Sequence, residues 1–384
     1  MKNNSRNGYN IYNVRSPRRR KRNDRRKLFV VTCLFICMTC LILDIIFIAK
    51  LTKKSKKTVT PAQTSSVISF ETDESGNVIV PPSSDPSTSS EATESTTAAK
   101  VQTVDADTRA AHLANLQSKV ADYLGKQNGR FGVYYINMNN GETMAYKEDQ
   151  PIVAASSIKL AYNTYLYEKA ASGELSLDEK MAYKATGYQD GVNGGDLEYG
   201  TGTIQNAADG TEYTLSEVSH LAITISDNCG NNMVIRRLGG EDAINNNYLK
   251  TISSVVDYRS KVEYTDYTGK SVAGRRRTSA IDLAKYAERL YKNYKGNEEA
   301  YQPLIDDLCH TEYSWGVPAG VSGDATVAHK VGFHGTACND IGIVFGTEDY
   351  VLCVMTESGS ESTAHDIIGE VSKMVYEYVE SNYN

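Results

Sequence analysis

A serine and a lysine three residues apart, Ser156 and Lys159, put the strongest constraint on this chain. In a helix this spacing brings a hydroxyl and an amine onto adjacent turns of one face. A neutral lysine amine can then take the proton of the hydroxyl, which makes a serine nucleophilic without a histidine. No other Ser-x-x-Lys segment occurs in the sequence. We therefore predict a helix that begins at Ser156 and carries an acyl-transfer centre.

Four further segments follow in a fixed order. A Ser-Asp-Asn triplet at 226–228, with a second asparagine at Asn232, comes about seventy residues later, and a Lys-Val-Gly triplet at 330–332 comes about a hundred residues after that. Leu-Gly-Gly at 238–240 and Gly-Val-Pro-Ala-Gly at 316–320 add two more matches. Taken with Ser-x-x-Lys, this set resembles the class A β-lactamases and the related D-Ala-D-Ala peptidases. The resemblance covers the chain from about residue 105 onward.

The resemblance implies a role for each matched residue. Ser156 would attack a lactam or peptide carbonyl to give an acyl-enzyme, and Lys159 would take or relay its proton. Ser226 would pass a proton towards the leaving nitrogen, while Lys330 would supply positive charge from across a groove. The backbone N–H groups of Ser156 and Phe333 would form the oxyanion hole. The positions implied in substrate binding are Asn228, Asn232, Val331, Gly332 and Phe333.

Two positions depart from the family pattern. Val331 stands where a threonine or serine usually helps to bind the substrate carboxylate, and a valine cannot supply that hydrogen bond. Class A β-lactamases also carry a Glu-x-x-Leu-Asn segment whose glutamate activates the water that releases the acyl group, and none occurs between Gly240 and Thr278. Counting along the chain offers Glu263 as this base, with Asp266 as an alternative. Without such a base the acyl-enzyme would persist or resolve slowly.

The apolar patterns predict an α+β fold for residues 105–384. A helix is expected over 108–123, and strands are expected at 131–136, 142–146, 326–331, 341–345 and 350–355. A capping box at 214–217 should start the helix that leads to Ser226, and a last helix should follow the last strand. Strands at both ends with helices between them predict an antiparallel sheet flanked by terminal helices, beside an all-helical lobe. This is the β-lactamase/transpeptidase-like arrangement that the resemblance implies, with the site in the groove between the lobes.

The first hundred residues predict an anchor and a tether. Residues 1–27 are strongly basic, and residues 28–50 are almost wholly apolar, long enough to cross a bilayer core of about 30 Å. Residues 51–104 are rich in Ser, Thr and Pro, which is typical of a disordered linker. The basic excess before the span favours a cytoplasmic N-terminus. We expect a single-pass protein of the cell membrane with its serine hydrolase domain, 105–384, outside.

Composition narrows the partners and cofactors. The net charge of −6 combines a basic anchor with an acidic remainder, which argues against a nucleic-acid partner. The four cysteines outside the span form no zinc pattern or dense disulfide framework. Free thiols are therefore expected, with a Cys309–Cys338 bridge as the alternative. His329 and His334 lack an HExxH pattern, and neither a metal nor another cofactor is predicted.

Three functions remain open from the sequence. The first is an anchored class A β-lactamase-like serine hydrolase that acts on β-lactams or related amides. A D-Ala-D-Ala carboxypeptidase or another cell-wall peptidase would use the same residues. The third is a penicillin-binding sensor that acylates without turnover, or a domain that has lost catalysis. The intact set of motif residues argues against a dead site. The expected partners are a β-lactam or peptidoglycan-derived substrate and the membrane, with a monomeric catalytic domain.

Overall fold

The computed structural model describes residues 103–189, 192–258, 264–272 and 274–383. All of these residues belong to the unit Ser95–Asn384. The predicted anchor at 28–50, almost all of the predicted linker at 51–104, and Glu263 lie outside the described residues. Within those four ranges, no helix combines the length and the apolar character that a membrane crossing requires.

Strands and helices alternate in groups along the chain. The strands are β1 (Gly129–Asn137), β2 (Thr143–Tyr146), β3 (Ile152–Val153), β4 (Lys180–Ala182), β5 (Glu212–Thr214), β6 (Arg277–Thr278), β7 (Thr326–His334), β8 (Ala337–Phe345) and β9 (Tyr350–Ser358). The helices are α1 (Ala106–Gly125), α2 (Lys159–Ala171), α3 (Leu215–Thr224), α4 (Asn228–Arg237), α5 (Glu241–Ile244), α6 (Lys250–Ile252), α7 (Ala280–Gly296), α8 (Glu298–Cys309) and α9 (Glu361–Glu380). The predicted strands near both ends and the two terminal helices are confirmed.

One antiparallel sheet runs in the order β2-β1-β9-β8-β7. Its register places four residues in one row across β1, β9, β8 and β7, namely Tyr134, Cys353, Ile341 and Lys330. Neighbours in such a row share a face of the sheet. Cys353 and Ile341 belong to the core that the sheet forms with α2, α7 and α8. Lys330 therefore faces the same side of the sheet as α2.

The opposite face of the sheet is covered by the terminal helices α1 and α9. Leu116 and Val120 of α1 and Val371 and Val375 of α9 are buried against strand residues such as Val354. Because both faces are covered, β8 and β9 are apolar along most of their length and almost wholly buried. This explains why the sequence near residues 341–355 reads as strand without a clear polar face.

A second lobe is built around α3 and α4. Leu215 and Val218 of α3 pack on Met233 of α4 and on Met181 of β4. The capping box at Thr214 is confirmed, since its side chain accepts from the Glu217 backbone while the Glu217 carboxylate accepts from the Thr214 backbone. The lobe was expected to be all-helical. That detail is wrong, because β4 and β5 form a short ribbon at its edge.

Two further details differ from or complete the sequence-based picture. Ser156 lies in a 3₁₀ turn, Ala155–Ile158, and the α-helix α2 begins only at Lys159. The four cysteines that the structure describes are free thiols, so the alternative of a Cys309–Cys338 bridge is not formed.

Candidate active site

Strand β7 passes directly beside the turn that carries Ser156. A methyl group added to Gly332 would lie 2.5 Å from the backbone nitrogen of Ser157 and 3.0 Å from that of Ser156. Real side chains do not tolerate such distances, so only a glycine lets the strand come this close. Gly332 thus brings the β7 backbone next to the N–H of Ser156, where the resemblance places the oxyanion hole.

Lys159 joins this turn to the second lobe. Its side chain is only 4 % exposed, and its Nζ donates to the carbonyl oxygen of Ser226 at 2.7 Å and to Oδ1 of Asn228 at 2.9 Å. The Ser226 hydroxyl lies 3.3 Å from the same amine. A neutral amine has two N–H bonds, which these two near acceptors can receive, and it keeps one lone pair for a proton.

Burial lowers the pKa of Lys159 to about 8. The negative charges of Glu198 and Asp227, and the Cys229 thiol, act in the opposite direction. Burial also lowers the pKa of Lys330 well below its ordinary value, and the positive charge of Lys159 adds to that effect. Desolvation, and not the charge of Lys330, is therefore the main reason why Lys159 can lose its proton near neutral pH.

The Ser-Asp-Asn turn is held in a strained conformation by its middle residue. Ser226 has a φ of 57°, a left-handed value that non-glycine residues seldom adopt. The buried Asp227 carboxylate accepts hydrogen bonds from the backbone N–H groups of Gly230, Thr203 and Ile204 at 2.9, 2.6 and 2.9 Å. These three bonds cap α4 and fix the turn against the loop before α3.

A cavity of about 310 Å³ opens above these contacts. Five of the predicted site residues line it, namely Ser156, Lys159, Asn228, Asn232 and Phe333. Ser226, Lys330 and Gly332 are not part of its lining and lie in the wall behind it; the first two are buried. The structure therefore brings the three motifs into one place.

Val331 does not reach this cavity. It is 4 % exposed and is not among the lining residues. Successive side chains of a strand point to opposite faces, and the added methyl on Gly332 points at the Ser156 turn, so Val331 points away from it. Val331, implied by the resemblance as a substrate-binding position, thus does not present its side chain to the cavity. The loss of a hydrogen bond to the substrate carboxylate at this position stays a prediction.

Asp266, the alternative candidate for the deacylation base, lies elsewhere. Its carboxylate accepts from the backbone N–H groups of Thr268 and Lys270 and from the hydroxyl of Thr336. It lines a neighbouring cavity that does not include Ser156. These bonds engage the Asp266 carboxylate in the turn after residue 264, and Asp266 is not part of the lining of the Ser156 cavity.

Four charged residues that were not predicted from the sequence line the main cavity, namely Glu198, Glu241, Arg275 and Arg276. None of them belongs to a motif, and the segments that carry them meet Ser156 only through the tertiary fold. His334 also lines the cavity, and burial together with the charge of Arg275 lowers the pKa of its imidazole.

Both ring nitrogens of His329 contact groups of the fold. Its Nδ1 lies 2.9 Å from the buried Asp340 carboxylate, and its Nε2 contacts the Tyr313 carbonyl oxygen at 3.0 Å. Asp340 also accepts from the backbone N–H of Val317 at 2.7 Å. Among the residues that the structure describes, no group of three or more His, Cys, Asp or Glu side chains is arranged to hold a metal ion.

Comparison with known proteins identifies the family. A model described as the beta-lactamase enzyme family matches residues 115–379. The chain belongs to this family. The beta-lactamase of Streptomyces albus G is 24% identical over 273 residues, which cover 69% of this chain and 85% of that protein. Beta-lactamase AST-1 of Nocardia asteroides is 25% identical over 257 residues, covering 64% and 78%.

Solved structures agree with this assignment. PBP-A superposes with a TM-score of 0.59 and 27% identity, covering 70% of this chain and 97% of PBP-A. An ancestral class A beta-lactamase gives a TM-score of 0.56 at 23% identity, covering 68% and 99%. The predicted β-lactamase/transpeptidase-like fold is confirmed, and the family model and the curated relatives confirm the assignment to the β-lactamase-like serine hydrolases.

The close approach at Gly332 leads to a first prediction. Gly332→Ala should slow acylation of Ser156 by about 10²–10³-fold, the usual cost of losing one oxyanion donor, because the strand must move away from the turn. Stopped flow measures the acylation rate, and the melting temperature measures any loss of stability. Gly125→Ala is the matched control, since a methyl there meets nothing within 4 Å. A Gly332→Ala variant that acylates at the normal rate would refute the placement of the oxyanion hole between β7 and the Ser156 turn.

Proposed function

We propose that this family member forms an acyl-enzyme at Ser156 with β-lactams or related amides. The observation that carries the proposal is the buried Lys159 amine, which has a pKa of about 8 and contacts Ser226 and Asn228 at the edge of the Ser156 cavity. The Lys159 amine and the Ser226 hydroxyl thus lie together beside a substrate-sized cavity that Ser156 also lines. A point mutant of the similar PBP-A has been solved as an acyl-enzyme complex with penicillin G.

Acylation follows from this geometry. Lys159, as the neutral amine, takes the hydroxyl proton of Ser156 while the serine oxygen attacks the carbonyl carbon. The backbone N–H groups of Ser156 and Phe333 stabilise the negative oxygen that develops. The bond between carbon and nitrogen then breaks, and the Ser226 hydroxyl delivers a proton to the departing nitrogen. Ser226 regains its proton from the Lys159 ammonium, whose Nζ lies 3.3 Å away.

Substrate binding is assigned to the cavity wall. The Asn228 side chain can donate through Nδ2 while its Oδ1 accepts from Lys159, so it suits an amide carbonyl of the substrate. Phe333 is 47 % exposed and offers an apolar surface at the opening. The lining has no hydroxyl from position 331, so a substrate carboxylate would depend on other groups, such as the cavity-lining Arg275.

Covalent labelling tests this function. A fluorescent penicillin should label the full chain at one site, with Ser156 identified by peptide mass spectrometry. Ser156→Ala should abolish the label, and Lys159→Ala should slow labelling by orders of magnitude because no base remains. Ser157→Ala is a neighbouring serine control, whose hydroxyl only donates to the Ala154 carbonyl oxygen. A label that survives Ser156→Ala would place the nucleophile elsewhere.

A cell-wall peptidase is the second candidate. The observation that favours it is the absence of a Glu-x-x-Leu-Asn segment between Gly240 and Thr278, since the glutamate of that segment serves β-lactam hydrolysis. A D-Ala-D-Ala carboxypeptidase and a penicillin-binding sensor would both acylate at Ser156. Release of D-alanine from a peptidoglycan pentapeptide supports the peptidase, and an acyl-enzyme that never turns over supports the sensor.

We also propose that the domain acts outside the cell as a monomer tethered to the membrane. The support is the sequence: a basic segment, an apolar stretch at 28–50 and a Ser/Thr/Pro-rich linker. External protease on intact cells should cut within residues 58–103 and release a folded C-terminal fragment. Cleavage that occurs only after lysis would invert this topology.

A further inference from the structure

We propose that Glu198 is the general base that releases the acyl group from Ser156, a step that rests on the acyl-enzyme proposed above. The family's glutamate motif is missing, and Glu198 comes from a different part of the chain, the loop before α3. Its side chain is half-buried and lines the same cavity as Ser156 and Lys159.

Glu198 shares the cavity with Lys159 of α2 and with His334 at the end of β7. Of the charges that raise the pKa of Lys159, Glu198 has the largest effect. The charge of Glu198 also partly opposes the lowering of the His334 pKa by burial and by Arg275, on the β7 side of the cavity. Its carboxylate therefore acts on groups of both α2 and β7 and borders the same cavity as Ser156.

Helix α4 holds the loop of Glu198 rigidly. Cys229, Asn232 and Arg236 are spaced three and four residues apart, so they share one face of the helix. The Cys229 sulfur contacts the backbone nitrogen and oxygen of Glu198 at 3.5 and 3.6 Å. Arg236 binds both carboxylate oxygens of the buried Asp196 at 2.9 Å. The backbone on either side of residue 197 is thereby fixed.

Asn232 also holds the side chain of Glu198. Its Nδ2 donates to the carbonyl oxygen of Asp196 at 3.1 Å and to Oε2 of Glu198 at 3.3 Å. The asparagine that the family pattern places in the site thus orients the Glu198 carboxylate. Within the described ranges, Glu198 forms no ion pair, whereas the cavity-lining Glu241 is neutralised by Arg276. A carboxylate without a cation bound to it remains free to accept a proton.

Deacylation by Glu198 moves one proton from water to the serine oxygen. Glu198 takes one proton from a water molecule as the water oxygen attacks the carbonyl carbon of the Ser156 ester. The tetrahedral intermediate then collapses, and the bond between that carbon and the serine oxygen breaks. The proton on Glu198 returns to the serine oxygen, and the product leaves with the hydroxyl of the water as a carboxylic acid. One water is consumed and the enzyme is restored.

The test compares acylation and release in the full chain with penicillin G, followed by intact-mass spectrometry. Glu198→Gln keeps the size and the Asn232 contact but cannot accept the proton. It should acylate within about tenfold of the unchanged chain and release the product about 10²–10⁴-fold more slowly, the usual contribution of a general base. Glu212→Gln changes an exposed carboxylate that is not part of the cavity lining, and it should leave both rates unchanged.

A rescue measurement separates a lost base from a damaged site. Hydroxylamine attacks esters without a base, so it should free the trapped acyl group from Glu198→Gln at the rate seen for the unchanged chain. Normal release by Glu198→Gln overturns the proposal, as does trapping by Glu241→Gln or Glu263→Gln in its place. Loss of acylation in Glu198→Gln would also overturn it. If the unchanged chain never acylates, the proposed function itself fails.

Discussion

The burial of one amine, Nζ of Lys159, is the interaction on which the rest of the site depends. An isolated ammonium in such a place would cost several kcal/mol. Here the amine lies within 3.4 Å of four oxygens from the turn at 226–228, two of them at 2.9 Å or less. These contacts tie α2, and with it Ser156, to the start of α4. The same burial that makes the amine a usable base therefore also joins the two lobes.

Two residues of the turns beside this amine have strained backbone conformations. Ala155 and Ser226 both have positive φ values, 48° and 57°, and each such residue costs on the order of 1–3 kcal/mol. Contacts that fix the two turns offset this cost. Asp227 binds three backbone N–H groups, and Gly332 lets β7 press on the turn that follows Ala155. These contacts hold the reactive groups in place, against the strain, before substrate arrives.

Local features of this fold could be predicted from the sequence, and features set by tertiary contacts could not. The capping box at Thr214 and the short apolar runs of the last strands depend on neighbours in the chain, and both were predicted correctly. The motif residues were found because each motif is a short local segment, namely the turn that leads into α2, the turn before α4 and the strand β7. Glu198 was not found, since only the face of α4 that carries Asn232 brings its loop to the cavity. The orientation of Val331 depends on how β7 meets the Ser156 turn, which no local pattern encodes.

The central claim is that neutral Lys159 activates Ser156, and the pH dependence of acylation tests it most directly. The rate constant for acylation by a chromogenic cephalosporin should be measured by stopped flow from pH 6 to pH 10, under single-turnover conditions. Because the amine must lose its proton to act as a base, the rate should rise with pH through an inflection near the pKa of about 8 and then level off. A rate that is flat across this range, or that falls as the pH passes 8, would contradict the account.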